Sequence, residues 1–150
     1  MIDKISMKKI EYGTDDYEKT IDIRNDAFRK PQGLNIRDED LSGDKDLNMY
    51  AGFINGEMMA TVFYSHIDEE TAQVKSVIVT DKYKKMGLGK YLMDFIESII
   101  REKNYKKIKL MGRVSVEGFY KKLGYKTISD SFDYYKTPHV YMEKNFLIIA

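Results

Sequence analysis

The chain has 150 residues, of which 43% are hydrophobic and 33% charged, and it contains no cysteine. This composition predicts a single soluble domain over residues 1–150, and it excludes a cysteine nucleophile, a thiolate metal site and a disulfide framework. The formal net charge of +1, from 25 basic and 24 acidic residues, argues against a nucleic-acid partner, because nucleic-acid binders usually carry a clear basic excess.

From the sequence we expect no targeting or membrane signal at either end. The N-terminal stretch "MIDKISMKKIEYG" is charged from its third residue, so we expect no signal peptide. The longest apolar run, "FLIIA" at 146–150, is too short to cross a bilayer and is interpreted as a terminal strand, a dimer contact or a tag remnant. We therefore expect a cytoplasmic protein with no membrane partner, and a homodimer is left open.

The first third of the chain predicts a strand, a helix and a polar connection. Residues 7–12 read as a strand. Residues 15–28 combine apolar positions at helical spacing with acidic residues at the start, which predicts an amphipathic helix. Residues 29–46 form a polar connection with one short helix around 37–41, and its charged residues, Arg29 included, are expected on the surface.

The middle of the chain predicts three strands and a long helix. Residues 47–54 and 58–67 flank "NGE", which is a strong hairpin signal. A third strand, 72–79, is apolar on both faces at its end, as expected for a central strand. After a glycine loop, apolar residues recur at helical spacing from Leu88 onward, which predicts a long helix. Basic residues follow where this helix should end, and their charge suits the C-terminal end of a helix dipole.

The last third predicts a strand at 106–111, a helix at 115–123 capped by Gly124, and strands near 125–132 and 138–143. Strands and helices therefore alternate without internal repeats. This order is typical of an α/β or α+β fold with a mixed sheet.

The glycine loop "YKKMGLGKYL", residues 83–92, suggests a phosphate site. A Walker A loop fails because Tyr91 replaces the magnesium-binding hydroxyl and Lys84 replaces the first glycine. A dinucleotide fingerprint fails because Leu92 occupies the third glycine position. What remains is a strand, a loop with glycines at 87 and 89, and a helix N-terminus, which together favour an anion site suited to a pyrophosphate.

Two motifs, in order, resemble those of the GNAT N-acetyltransferase superfamily. "VIVTDKYKKMGLGKYLMDFI", 77–96, is similar to the family's motif A, with Lys84 where Arg or Gln is usual. "VEGFYKKLGY", 116–125, resembles the family's later helix, which ends Phe-Tyr-x-x-x-Gly-Phe, although Arg113 and Val116 replace its usual Asn and Ala. The resemblance covers about residues 45–143, and "RNDAFRKPQGL" at 24–34 is less specifically similar.

The resemblance implies a GNAT-like mixed, mainly antiparallel sheet flanked by helices. It implies transfer of an acetyl group from acetyl-CoA, as co-substrate, to a primary amine of a small-molecule or peptide acceptor, in a ternary complex and without a metal. Tyr120 would protonate the departing thiolate. The residues assigned to cofactor binding are Val77, Ile78, Val79, Lys84, Lys85, Met86, Gly87, Leu88, Gly89 and Lys90.

Three questions remain open at the level of sequence. The general base is His139, Glu70 or water, because the strand before motif A holds no carboxylate, and His66 is a weaker candidate. The missing carboxylate also supports an alternative function, a non-catalytic acyl-CoA-binding or sensing module. The acidic stretch 37–46 is expected to be solvated, or to attract a cationic amine. Its partial match to a calcium loop fails where Met49 replaces the bidentate glutamate. Arg29 and Lys30 are expected as surface charges, with a contact to the acceptor as the alternative.

Overall fold

The computed structural model describes residues 4–146. Within them the chain forms three α-helices and eight β-strands, joined by short 3-10 turns in the connections. The apolar spacing seen in the sequence explains both long helices. The elements are β1 (Ser6–Ile10), α1 (Asp15–Phe28), β2 (Asn48–Ile54), β3 (Glu57–His66), β4 (Thr71–Val79), α2 (Leu88–Glu102), β5 (Lys107–Arg113), α3 (Glu117–Lys122), β6 (Lys126–Thr127), β7 (Phe132–Tyr134) and β8 (Thr137–Asn145).

The eight strands of the described residues form one sheet. Its order is β1-β2-β3-β4-β5-β8-β6, and the short strand β7 pairs with β8. Every pair is antiparallel except β4 and β5, which run parallel because the crossover through α2 connects them. The predicted mixed, mainly antiparallel sheet flanked by helices is confirmed.

The helices cover opposite faces of this sheet. α1 packs on the face of β3 and β4 that carries Phe63, whereas α2 packs on the other face of the same two strands. We call these the α1 face and the α2 face. Residues of α2 and α3 join the core of the α2 face, which includes Leu92, Ile96 and Tyr120. Alternation along β5 and β8 places Leu110 and Val140 on the α2 face.

β4 and β5 part halfway along their length. Their ladder ends at the pair Val74 and Leu110, although each strand stays paired with its outer neighbour, β3 or β8, to its end. A register shift in the β3–β4 ladder coincides with Ser76, whose φ of 53° is left-handed, and the Thr61 hydroxyl donates to the Ser76 carbonyl at 2.7 Å. We call the space between 75–79 and 111–113 the β4–β5 gap.

Most predicted elements match, and the mismatches lie in the connections. The predicted strand over 125–132 is wrong, because β6 has two residues and β7 begins only at Phe132. The predicted single short helix around 37–41 is also wrong, since three 3-10 turns occupy the connection, at Lys30–Gln32, Ile36–Asp38 and Ser42–Asp46. Part of the C-terminal apolar run, 147–150, lies outside the described residues.

The acidic connection is not simply solvated, as the sequence suggested. Asp44 is buried, accepts two hydrogen bonds from the Arg24 guanidinium at 2.8 and 3.3 Å, and accepts a third from the Tyr17 hydroxyl at 2.8 Å. Burial, followed by this bond to Asp44, raises the pKa of Tyr17. The cluster fastens the connection to α1, so this carboxylate is not free to attract an amine.

Arg29, expected as surface charge, is also buried. Its guanidinium donates to both oxygens of Glu39, at 2.6 and 3.2 Å, and lies 3.5 Å from the centre of the Tyr135 ring. The hydrogen bond from Arg29 lowers the pKa of Glu39. Tyr135 and Lys136 form the two-residue turn between β7 and β8, both with left-handed φ, 49° and 61°. The stack with Arg29 therefore holds a strained turn against the connection.

Candidate active site

The glycine loop presents bare main chain at the start of α2. Gly87 is the N-cap residue with φ 74°, and Lys85 is also left-handed, with φ 66°. No side chain caps the helix and no acidic residue lies in its first turn. The first N–H groups of α2 therefore lack both an intrahelical acceptor and a competing carboxylate. With the helix dipole, they form a site for an anion.

The side chains of the loop differ in what they can contribute. The Leu88 side chain is buried in the α2-face core, so this residue can offer only its main chain to a ligand. Lys84 and Lys90 form exposed ion pairs with Asp81 and Asp94, both at 2.8 Å. Such pairs contribute little stability and are readily exchanged for another anion. The side chains of Lys85 and Met86 are exposed.

The Tyr120 ring lies against β5 at the edge of the gap. A Cβ placed on Gly112 would meet two atoms of that ring at 3.4 Å, which puts the ring in direct contact with this part of β5. Tyr120 is 8% exposed, and burial raises the pKa of its hydroxyl to about 12. No buried side-chain oxygen or nitrogen of residues 4–146 lacks a partner. The Tyr120 hydroxyl makes no side-chain hydrogen bond to any of these residues.

The two sequence motifs touch each other. A Cβ placed on Gly89, in the first turn of α2, would meet the ring of Phe119 on α3 at 3.0 Å. Phe119 in turn packs edge-on against Tyr120, with ring centres 5.0 Å apart. The second glycine therefore lets α3 approach the start of α2. The structure brings the glycine loop and Tyr120 into one region.

His139 lies on the opposite face of the sheet from Tyr120. It is buried and pairs with Arg113 across β5 and β8, so both side chains point to the α1 face. Its Nδ1 lies 2.6 Å from the Thr137 carbonyl oxygen. A carbonyl only accepts, so Nδ1 donates to it, and in the neutral imidazole Nε2 is then the nitrogen with the lone pair. His139 is thus held in the tautomer that a base requires.

The other two base candidates lie at the far end of the sheet. His66 ends β3 and contacts the Tyr105 hydroxyl, and Glu70 precedes β4 and pairs with Lys106. The nine residues of β4 separate them from the glycine loop, a span of about 30 Å. The structure does not bring either side chain to the loop or to Tyr120.

The predicted strand residues line the gap. Val77 and Val79 pack against the α2-face core, whereas Ile78 is opposite Thr61 on the α1 face. Because the β4–β5 ladder has already ended, the main chain of 77–79 has no strand partner in β5. If that ladder continued in the same register, Arg113 of β5 would be the pairing partner of Val77 of β4. The left-handed Ser76 that accompanies the split has no Gly or Asn signal, so the sequence did not reveal it.

Comparison with known proteins fits these observations. The profile of the Acetyltransferase (GNAT) family matches residues 17–125. The chain belongs to this family. It is therefore an N-acetyltransferase, and the resemblance seen in the sequence is confirmed. A protein of Bacillus subtilis (strain 168) that is named "Putative acetyltransferase" is 32% identical over 143 residues, which cover 93% of this chain and 96% of that protein.

Solved structures of low sequence identity share the fold of this GNAT chain. The crystal structure of Escherichia coli ElaA has a TM-score of 0.79 at 19% identity and covers 95% of this chain and 100% of its own. A GNAT family acetyltransferase from Elizabethkingia anophelis, with acetyl-CoA bound, has a TM-score of 0.72 at 18% identity, covering 96% and 99%. At these identities the likeness concerns the fold alone.

Neither a metal cluster nor a membrane-spanning helix occurs among the described residues. Among residues 4–146, no three His, Cys, Asp or Glu side chains come together in a group that could hold a metal ion. None of the helices in that range has the length and apolar character needed to span a membrane.

Proposed function

We propose that this GNAT chain, acting as one domain, transfers the acetyl group of acetyl-CoA to a primary amine by direct attack in a ternary complex. The observation that carries the proposal is the uncapped start of α2, which lies beside Tyr120 and the β4–β5 gap. Acetyl-CoA supplies the activated acetyl thioester. The remaining steps belong to residues of the chain.

The glycine loop is suited to the pyrophosphate of the co-substrate. Main-chain N–H groups from Lys85 to Lys90 would donate to it, and the open space beside Gly87 lets an anion approach the backbone. The ion pairs of Lys84 and Lys90 are both exposed. The main-chain groups of 77–79 that face β5 would then bond the extended arm of the co-substrate and polarise the thioester carbonyl.

Tyr120 and His139 suit opposite roles in the proposed proton transfers. The pKa of Tyr120, raised by burial to about 12, keeps the phenol protonated at neutral pH, so it can give a proton to the departing thiolate. In the transfer, the nitrogen of the amine forms a bond to the carbonyl carbon, and the carbon–sulfur bond breaks. His139 would use the lone pair on Nε2 to take the proton that the amine loses. Because the two residues lie on opposite faces, they can act together only through the gap.

The glycine loop is tested by calorimetry with acetyl-CoA and the variant Gly87→Glu. A carboxylate at this N-cap would occupy and repel the anion site, and we expect binding to weaken at least tenfold. Gly33→Glu is a matched control, because Gly33 also has φ 74° and open space around it. Equal binding by both variants would contradict the assignment of the loop.

Turnover is tested by following free CoA with a thiol reagent, which meets no background because the chain has no cysteine. Tyr120→Phe should lower kcat by about a hundredfold while acetyl-CoA still binds. Since the pKa of Tyr120 is about 12, the wild-type rate should not fall between pH 8 and 10 through loss of this proton. Binding without turnover of any amine would favour the alternative, an acyl-CoA-binding or sensing module.

A further inference from the structure

Arg113, at the end of β5, is a half-buried cation that has no carboxylate partner among residues 4–146. Its guanidinium donates once, from Nη2 to the Ala27 carbonyl at 3.1 Å, and lies 5.2 Å from the centre of the Phe28 ring. A guanidinium has five N–H donors. Within residues 4–146 no carboxylate lies within ion-pair distance of Arg113, so most of these donors remain available.

The other arginines show that this is unusual for the chain. Arg24 and Arg29, which are both buried, each hold a carboxylate, and the exposed Arg37 holds two. Arg101 has no acidic partner in the described part of the chain, but it is exposed on α2 and lies over Phe146. Removing a cation from water is costly unless an anion compensates. A half-buried guanidinium with free donors is therefore suited to an anion from outside the chain.

The position of Arg113 connects this anion to the reaction. Arg113 pairs directly with His139 across β5 and β8, and side chains so placed lie about 5 Å apart at their Cβ atoms. Both point to the α1 face, beside the β4–β5 gap. An acceptor whose amine reaches Nε2 of His139 would place its neighbouring atoms at the guanidinium. His139 and Arg113 thus mark two ends of one acceptor.

We propose that the acceptor is an amino acid, in which a carboxylate next to the amine is bound by Arg113. This inference rests on the proposed function. A carboxylate matches the planar fork of a guanidinium, and charge-assisted pairs of this kind are stronger than neutral hydrogen bonds. The aromatic side chains of Phe132 and Tyr134, which lie beside His139, would bound the space for the acceptor's own side chain.

The first experiment compares acceptors that differ only in the carboxylate. Alanine, methionine, phenylalanine, lysine and glutamate are each assayed beside their carboxamides at saturating acetyl-CoA. Amide amines are less basic, so the acid-to-amide ratio of kcat/KM is compared between proteins rather than read alone. We expect Arg113→Gln to lower this ratio about tenfold or more and Arg113→Lys to retain part of it. Arg101 also has no acidic partner among the described residues, and Arg101→Gln should leave the ratio unchanged.

The second experiment needs no turnover. Calorimetry measures binding of the N-acetylated forms of the same amino acids, and of their carboxamides, to the CoA-loaded protein. Wild type should bind the acids more tightly than the amides, and Arg113→Gln should bind both equally. If no amine is acetylated but this preference is present, the transfer function fails and the carboxylate site stands. If amines are acetylated but the acid-to-amide preference is the same in wild type and Arg113→Gln, the carboxylate inference is overturned.

Discussion

The buried cluster of Tyr17, Arg24 and Asp44 allows a quantitative prediction for Asp44→Ala. The substitution leaves the Arg24 guanidinium, 8% exposed, without its anion, and it leaves the Tyr17 hydroxyl without its acceptor. Removing one partner of a buried pair costs about 3–5 kcal/mol. An unsatisfied buried hydroxyl costs about 1–3 kcal/mol, but both losses share one carboxylate and do not simply add. We expect the free energy of unfolding to fall by about 3–5 kcal/mol.

Urea unfolding followed by circular dichroism measures this loss. A domain of this size has a total stability of about 5–15 kcal/mol, so the midpoint should shift strongly while the slope stays constant. In thermal unfolding the shift should be about 6–20 °C, at about 2–4 °C per kcal/mol. Asp46→Ala, an exposed acid in the same 3-10 turn, is the control and should change stability by less than about 0.5 kcal/mol.

The buried ion pair of Arg24 and Asp44 should also show coupling between its two charges. Arg24→Met should destabilise on its own because it leaves a buried carboxylate, but the double variant Arg24→Met/Asp44→Leu should recover much of the loss. A loss below about 1 kcal/mol for Asp44→Ala, or strictly additive single variants, would refute the view that this ion pair holds the connection to α1.

Three further predictions concern single contacts. Lys136→Gly should raise the free energy of unfolding by about 1 kcal/mol, because a φ of 61° is unstrained only for glycine, and no rise in thermal midpoint would contradict this. Glu39→Gln should destabilise the protein at neutral pH. Arg29 lowers the pKa of Glu39 below its usual 4.5. The difference in free energy of unfolding between wild type and variant should therefore be full above pH 5 and shrink as the pH falls through the lowered pKa. A constant difference down to pH 2 would exclude this linkage. Tyr125→Phe removes a buried hydroxyl that donates to Glu97 at 2.8 Å and should cost about 1–3 kcal/mol in urea unfolding, whereas an unchanged midpoint would mean that the bond contributes nothing.

Much of the architecture could be predicted from local patterns. The long helix after the glycine loop shows apolar residues at helical spacing, and the Asn55-Gly56 turn fixes the β2–β3 hairpin. Such signals depend on neighbours in the chain, so the sequence alone displays them. The loop glycines and Tyr120 were also recognisable, because their spacing belongs to short contiguous motifs.

The features that sequence missed depend on partners far apart in the chain. Asp44 lies 20 residues from Arg24, and no local pattern shows that this acid turns inward. Likewise, the contact between Gly89 and Phe119 exists only once α3 has folded onto α2. The turn at Tyr135 lacks the Asn or Gly that normally announces its left-handed backbone. Tertiary contacts decide all three of these features, so they could not be predicted from local sequence propensity.

The β4–β5 gap gives this sheet two edges in its interior. Exposed strand edges normally invite pairing with another molecule, and proteins block them with charges, prolines or bulges. Here α1 and α2 cover the two faces of β4, so another strand could approach these edges only end-on. Unpaired main-chain groups can therefore persist in the middle of the sheet without becoming a template for aggregation. Amide hydrogen exchange should show this as a fast-exchanging segment flanked by slow strands.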